Sequence, residues 1–281
     1  MIRRTVCLLA ALLLCAGGPA LAGDGAAKPQ RIVSLNLCAD ELLLRLVEPG
    51  RIASVTWLAR DPCGSTVAAI AAGIPVNRGL AEEIVPLHPD LIVGGTYTTR
   101  TAAGLLKRLN APLVELDVPQ TPEDAADQIR ALARTVGEPE RGEALIAAML
   151  ARYDAAAPAP GDRRPTAVVL RPNGFVAGPG TLTDAVMARA GLENAAGRLP
   201  GGGFGPLPLE AILLGGAERL ITDDTPGAPP SLANAVLHHP AVTALSRRVR
   251  TVTVPSRLLT CAGPQNAEAA ALLAAARGEG P

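Results

Sequence analysis

The chain has 281 residues, with 26 basic and 26 acidic side chains that leave no formal net charge. That balance excludes the strongly basic surface expected of a nucleic-acid binder or a polybasic membrane binder. Aromatics make up only 2% of the residues, so alanine and leucine must build the cores, and any aromatic placed in a cleft becomes a functional candidate.

The first segment has the form of an export signal. Arg3 and Arg4 supply the charge, Val6 to Leu14 the short apolar core, and Ala20-Leu21-Ala22 a small-x-small cleavage site before Gly23. A membrane span would need about 20 apolar residues. Bulky Leu14 before Cys15 does not suit lipoprotein processing. The expected product is a soluble periplasmic protein starting near Gly23, after a signal peptide at 1–22. The remaining length is enough for two domains on a prior of roughly 100–200 residues each.

Residues 24–30 read as a leader. Arg31-Ile32-Val33-Ser34-Leu35 is a buried strand, and Asp40 to Val47 an apolar-periodic helix stopped by Pro49-Gly50. A strand at Ile52–Val55 ends in Thr56-Trp57. Strands follow at Leu91–Val93 and Leu113–Leu116, with a helix over Thr101–Leu109 between them. Thr121 caps the next helix, with Pro122 at its first position. That helix runs to Val136, where Gly137 and Pro139 interrupt it. A long helical stretch from Glu140 to Ala156 then ends at Pro158-Ala159-Pro160-Gly161. Beyond it the alternation restarts: strand Thr166–Leu170, turn Arg171–Phe175, helix Leu182–Ala190, strand Val249–Val254 and helix Asn266–Arg277. Strands alternating with helices at this spacing predict parallel α/β lobes, 23–137 and 161–281, joined by one helical linker at 138–160.

Each lobe carries one copy of a pattern. Gly79 to Val93, containing Leu80-Ala81-Glu82-Glu83-Ile84, reads as a short helix with an acidic start, a turn and a buried strand. Pro206 to Thr222, containing Leu209-Glu210-Ala211-Ile212, reads the same way. Glu82 and Glu210 are 128 positions apart, as are Ile84 and Ile212. With the isoleucines turned inward, both carboxylates point outward at matched places, the arrangement a two-fold symmetric partner would grip.

In open parallel α/β sheets, ligands sit beyond the carboxyl ends of the strands. Those ends carry Asn36 and Cys38, Trp57 and Arg60, Tyr97 and Arg100, Arg171, Asn173 and Phe175, Asp223-Asp224, and Arg257. Trp57, Tyr97 and Phe175 offer stacking faces for a flat or macrocyclic ligand. The arginines suit carboxylate, phosphate or anionic chelate oxygens. After signal cleavage three cysteines remain, Cys38, Cys63 and Cys261, an odd number in an oxidising compartment. Cys38 and Cys261 each follow a strand end, one per lobe. Simple burial, a disulfide (with Cys63 a possible member), or soft contact with a metal-bearing ligand all fit them. Three histidines without metal-site spacing give no structural zinc. Gly201-Gly202-Gly203-Phe204-Gly205 and Gly178-Pro179-Gly180 lack phosphate-loop form, and no Gly-x-Ser-x-Gly elbow is present.

The Arg31–Leu35 strand with Glu41-Leu42 behind it, the Gly79…Glu82…Pro89-Asp90-Leu91-Ile92-Val93 run, the mid-chain helix and the Leu209-Glu210-Ala211-Ile212 run resemble, in order and spacing, the periplasmic substrate-binding proteins of the cobalamin and ferric-siderophore ABC importers. The resemblance covers essentially the whole mature chain. It implies two Rossmann-like lobes joined by one rigid helix, with a metal chelate (cobalamin, a ferric siderophore or haem) held between them. It also implies delivery to an inner-membrane permease whose arginines pair with Glu82 and Glu210, a monomer in solution, and no catalysis or resident cofactor. The cleft is poorer in aromatics and richer in arginine than in the cobalamin binders, which shifts weight toward an anionic chelate. The competing expectations are a periplasmic α/β enzyme, for which Asp223-Asp224 is the one candidate cluster, and a receptor-coupled ligand sensor.

Overall fold

A computed structural model describes residues 27–97, 100–201, 203–222 and 231–278. The export signal, Asp223-Asp224 and part of the polar turn after Tyr97 lie outside the described residues.

The first lobe is built on a parallel sheet. In chain order it comprises β1 (Ile32–Ser34), α1 (Leu37–Leu46), β2 (Ile52–Thr56), α2 (Ala68–Ala71), β3 (Val76–Asn77), α3 (Ala81–Ile84), β4 (Leu91–Gly95), α4 (Arg100–Arg108), β5 (Leu113–Leu116) and α5 (Pro122–Thr135). The strands lie in the order β3-β2-β1-β4-β5, all parallel. Central β1 and β4 are buried throughout, as strands covered by helices on both faces must be. The helix α1 starts three residues earlier than its periodicity predicts. Asn36 is extended, and its side chain accepts from the Ala39 N–H at 2.7 Å, capping the helix directly after the strand.

The helix α6 (Pro139–Ala156) leads into the second lobe: β6 (Thr166–Leu170), β7 (Phe175–Ala177), α7 (Leu182–Arg189), β8 (Glu193–Asn194), β9 (Phe204–Pro206), α8 (Leu209–Leu214), β10 (Arg219–Thr222), α9 (Pro240–Ser246), β11 (Arg250–Thr253) and α10 (Gln265–Ala274). Its parallel sheet runs β11-β10-β6-β8, and β7 pairs antiparallel with β9 in a separate ribbon. This ribbon differs from the sequence reading, which has a turn at Phe175 and a loop at 201–205. Strands of three residues are too short for apolar alternation to register. Gly178 has a structural reason to lack a side chain, since a Cβ there would lie 2.2 Å from the Gly203 carbonyl oxygen.

The fold is thus two α/β lobes with one long helix between them. α6 packs on α5 from the first lobe and on α10 from the second. Its buried Ile146, Met149 and Tyr153 lie in a core that also contains Leu42, Ile129 and Val169, so the apolar interior is continuous from lobe to lobe. Gly142 lets α5 approach closely, because a Cβ there would meet the Ala133 methyl at 2.4 Å. The start of α5 is fixed by a reciprocal cap: Thr121 accepts from the Asp124 N–H, and the Asp124 carboxylate accepts from the Thr121 N–H, both at 3.0 Å. The lobes meet again where Glu123 on α5 pairs with Arg189 on α7.

Candidate functional site

A pocket of about 320 Å³ lies between the lobes, and both contribute to its wall. The first lobe supplies Cys38 from the first turn of α1, the segment Asp117 to Gln120 after β5, and Gln128 from α5. The second supplies Arg171 after β6, Thr181 and Leu182 at the start of α7, Phe204, and the segment Leu259 to Ala262 that leads into α10. The pocket therefore opens where the carboxyl ends of both parallel sheets face each other, as expected for α/β sheets. A larger hollow of about 500 Å³ lies between β5 and α5 and shares the Asp117–Gln120 segment with it. The acids in that hollow are engaged: Asp124 in the cap of α5, Asp127 with Arg130, Glu115 with Lys107, and Asp117 with the Thr96 hydroxyl. Of these two hollows, the interlobe pocket is the one that brings a cation, an aromatic ring and small hydroxyls together.

Cys38 and Cys261 are bonded to each other across the lobes, with their α-carbons 5.1 Å apart. Of the outcomes open for them in the sequence, the disulfide is realised, and Cys63 is the free, half-buried thiol. The bond forms part of the pocket wall. Phe175, an expected contact, packs edge-to-face on Phe204, with ring centroids 4.7 Å apart and planes at 84°. Phe204 faces the pocket and is 73% exposed. Such a T-shaped pair leaves one ring face available for a planar partner.

Of the ten expected contacts, Cys38 and Arg171 line this pocket, and Phe175 reaches it through Phe204. Asn36 is occupied in capping α1. Trp57 and Tyr97 follow β2 and β4 as anticipated and are 55% and 66% exposed, but neither belongs to the pocket lining. Arg60 donates to the Ala71 carbonyl at 3.2 Å and to the Ile74 carbonyl, so its guanidinium is spent on closing the turn after α2. Arg100 begins α4 and faces a separate hollow of about 310 Å³ with Arg78 and Glu82. Asn173 is exposed in a left-handed turn (φ 59°). Arg257 is half-buried in a single 3-10 turn and does not join the lining.

Much of the lining was absent from the sequence reading, including Gln128 on α5 and the Gly180–Thr183 segment at the start of α7. Asp117 to Gln120 follows β5, so the strand-end rule applied to that strand too would have found it. Phe204 is an aromatic in a glycine run, which in an aromatic-poor chain is itself a signal. In the segment 259–262 the sequence marks Cys261 at a strand end, and its neighbours Leu259, Thr260 and Ala262 carry no motif.

Behind the pocket wall, α1 is held by two buried carboxylates. Asp40 is fully buried and accepts from the Thr56 backbone N–H at 3.1 Å and from the Thr56 hydroxyl at 2.5 Å. Burial raises its pKa to about 6; hydrogen bonds from Ser34 and Thr56 oppose the rise, and neighbouring Glu41 adds to it. Glu41 binds the Thr66 N–H at 2.7 Å and pairs with Arg45 at 2.6 Å. Glu82 and Glu210 are each the second residue of a short helix, α3 and α8, and both are exposed, whereas Ile84 and Ile212 are buried. No cluster of three metal-ligating side chains occurs among the described residues, and no described helix is long and apolar enough to cross a membrane.

The family model described as "Periplasmic binding protein" matches residues 32–241. No curated protein matches the chain. Solved structures do. The apo form of the periplasmic heme-binding protein RhuT from Roseiflexus sp. RS-1 is 22% identical, covering 89% of this chain and 99% of that one, with a TM-score of 0.69. A periplasmic heme binding protein from Pseudomonas aeruginosa is 23% identical, covering 89% and 93%, at 0.68. An ABC-type Fe3+-hydroxamate transport system protein from Saccharomonospora viridis DSM 43017 is 20% identical, covering 90% and 94%, at 0.67. At these identities the likeness is one of fold.

Proposed function

This chain belongs to the periplasmic binding protein family, and we propose that it captures an iron- or cobalt-bearing chelate between its lobes and hands it to an inner-membrane ABC permease. The observation that carries this reading is the interlobe pocket, walled by Arg171, Phe204 and threonine hydroxyls of the second lobe, by Asp117–Gln120 and Gln128 of the first, and by the disulfide between them. An anionic planar chelate needs one ring face to stack on and one fixed cation for its carboxylate or chelate oxygens, and Phe204 and Arg171 supply these. The volume is near the lower end of ligand pockets, which favours haem or a compact ferric siderophore over the bulkier corrinoid. The metal arrives with the cargo. Trp57, Tyr97 and Arg257 then act at the rim and meet those parts of a ligand that project beyond the pocket.

Glu82 and Glu210 are the proposed docking points, one per lobe, for basic groups repeated on the two halves of the permease. Residues 1–22 are read as a cleaved export signal, 23–137 and 161–281 as the lobes, and 138–160 as the joint. The working state is a monomer, and its role is binding, without catalysis. Trp57 is the single tryptophan and is exposed just after β2, so its fluorescence serves as the readout. Titration of the exported protein with haemin, a ferric hydroxamate and cyanocobalamin should quench it with a submicromolar Kd for at least one. No binding of any of the three would overturn the proposal.

A further inference from the structure

Both ends of the interlobe disulfide sit on rigid mounts. Cys38 is in the first turn of α1, whose start is capped by Asn36 and whose body is pinned to β2 through Asp40 and to Thr66 through Glu41. Cys261 is buried, and its carbonyl accepts from two buried amides, Gln265 Nε2 and Asn266 Nδ2, each at 2.9 Å. Asn266 also donates to the Leu258 carbonyl at 2.7 Å and accepts from the Gly263 N–H at 2.8 Å, so the whole 258–266 segment is cross-braced. A tie between two soft loops would stretch with the lobes. This one joins two stiff bodies and holds their backbones 5.1 Å apart at the wall of the pocket.

The geometry has a mechanical consequence. Two lobes joined through α6 alone can swing and twist about it. A second fixed point, at the cleft, leaves only rotation about the line through both attachments. The Glu123–Arg189 pair adds an ionic contact between α5 and α7. Opening that separates α1 from the 258–262 segment is blocked while the sulfur–sulfur bond stands, since bonded cysteines keep their α-carbons within about 7 Å.

We propose that the Cys38–Cys261 disulfide sets the width of the interlobe pocket and so selects ligands by size, the oxidised protein being the selective form. The selection half rests on the interlobe pocket being the ligand site; the mechanical half does not. Two-electron reduction by a dithiol, which is itself oxidised to its disulfide, gives two thiols and frees the wall to part.

The test compares the oxidised protein with Cys38→Ala/Cys261→Ala, and with wild type mildly reduced by a dithiol, its redox state checked by mass. The reduced wild type serves where the double variant does not fold. Without ligand, loss of the bond should enlarge the radius of gyration in small-angle scattering. It should also speed amide exchange about tenfold at 37–46 and 258–265, with far-ultraviolet circular dichroism unchanged. Unaltered scattering and exchange would overturn the mechanical claim. With haemin and cyanocobalamin as probes, the oxidised protein should favour the smaller, and the unbonded forms should lose at least about tenfold of that preference. The same preference in both states would overturn size selection. Binding of neither probe, nor of a ferric hydroxamate, by any form would overturn the functional reading, and the ligand-free measurements then decide the tie by themselves.

Discussion

Replacing Asp40 by Asn should flatten the acid side of the stability profile. Asp40 has no solvent exposure, and its pKa is raised from 3.8 to about 6, chiefly by burial. The folded protein thus holds this proton more tightly than the unfolded chain does. The stability it contributes is fully present below pH 3.8 and is lost as pH rises through 6. At about 1.4 kcal/mol per pH unit, the loss across that window is about 3 kcal/mol. Asn keeps the shape and can still accept from the Thr56 N–H, but it has no proton to lose. Urea unfolding at half-unit steps from pH 3.5 to 7 should show this falling component in wild type and its absence in Asp40→Asn, with other carboxylates giving a shared background. The difference between the two curves is the quantity to read. A difference that stays constant across pH 3.8 to 6 would refute the idea that Asp40 is protonated in the fold and would make it a permanent buried anion.

Other outcomes follow from the site and the spine. Arg171→Ala should weaken chelate binding by about 1–3 kcal/mol and Phe204→Ala by about 1–2, with Tm little changed because Phe204 is largely exposed; calorimetric titration and thermal melts separate the two effects. Glu82→Ala and Glu210→Ala should leave ligand affinity intact and weaken binding to reconstituted permease by about tenfold or more each, which surface plasmon resonance on nanodisc-held transporter would read. Full transport by the double variant would remove their docking role. Tyr153 is buried in α6 with no hydrogen-bond partner for its hydroxyl among the described residues, and burial holds its pKa well above the usual phenol range. Tyr153→Phe should therefore be neutral or up to about 1 kcal/mol more stable in urea unfolding.

What could be read from the sequence divides along physical lines. The parallel strands at Leu91, Leu113 and Thr166, the helix capped by Thr121 and the helix from Leu182 are local matters, set by apolar runs and, for the first helix, a hydroxyl cap, and they are where the sequence puts them. The outward turn of Glu82 and Glu210 was equally legible, because inward-facing Ile84 and Ile212 on the same short helices fix it. The pocket was harder. Strand-end position placed Arg171 and Cys38 on its wall, but the same rule also gathered Arg60, whose guanidinium is consumed by the Ala71 and Ile74 carbonyls. A strand end marks a face of the sheet and does not say whether a neighbouring carbonyl claims the side chain first. The β7–β9 ribbon and the pairing of Cys38 with Cys261 are long-range facts, decided by how the lobes meet and by no local signal.

The pairing of Cys38 with Cys261 also dictates an order of events in biogenesis. An exported chain emerges amino end first, so Cys38 and then Cys63 reach the oxidising side long before Cys261, 223 positions after the first. With the proposed export signal at 1–22 and its two cysteines removed, the partner on offer to Cys38 throughout that interval is Cys63, which the folded protein leaves as a thiol. Exchange between thiols and disulfides corrects such early mistakes at rates set by thiolate access. Cys63→Ser should therefore shorten the time to the native bond when the chain refolds from the reduced state, and a disulfide isomerase should help the wild type more than the variant. The cleft cannot take its final width until nearly the last helix has been delivered.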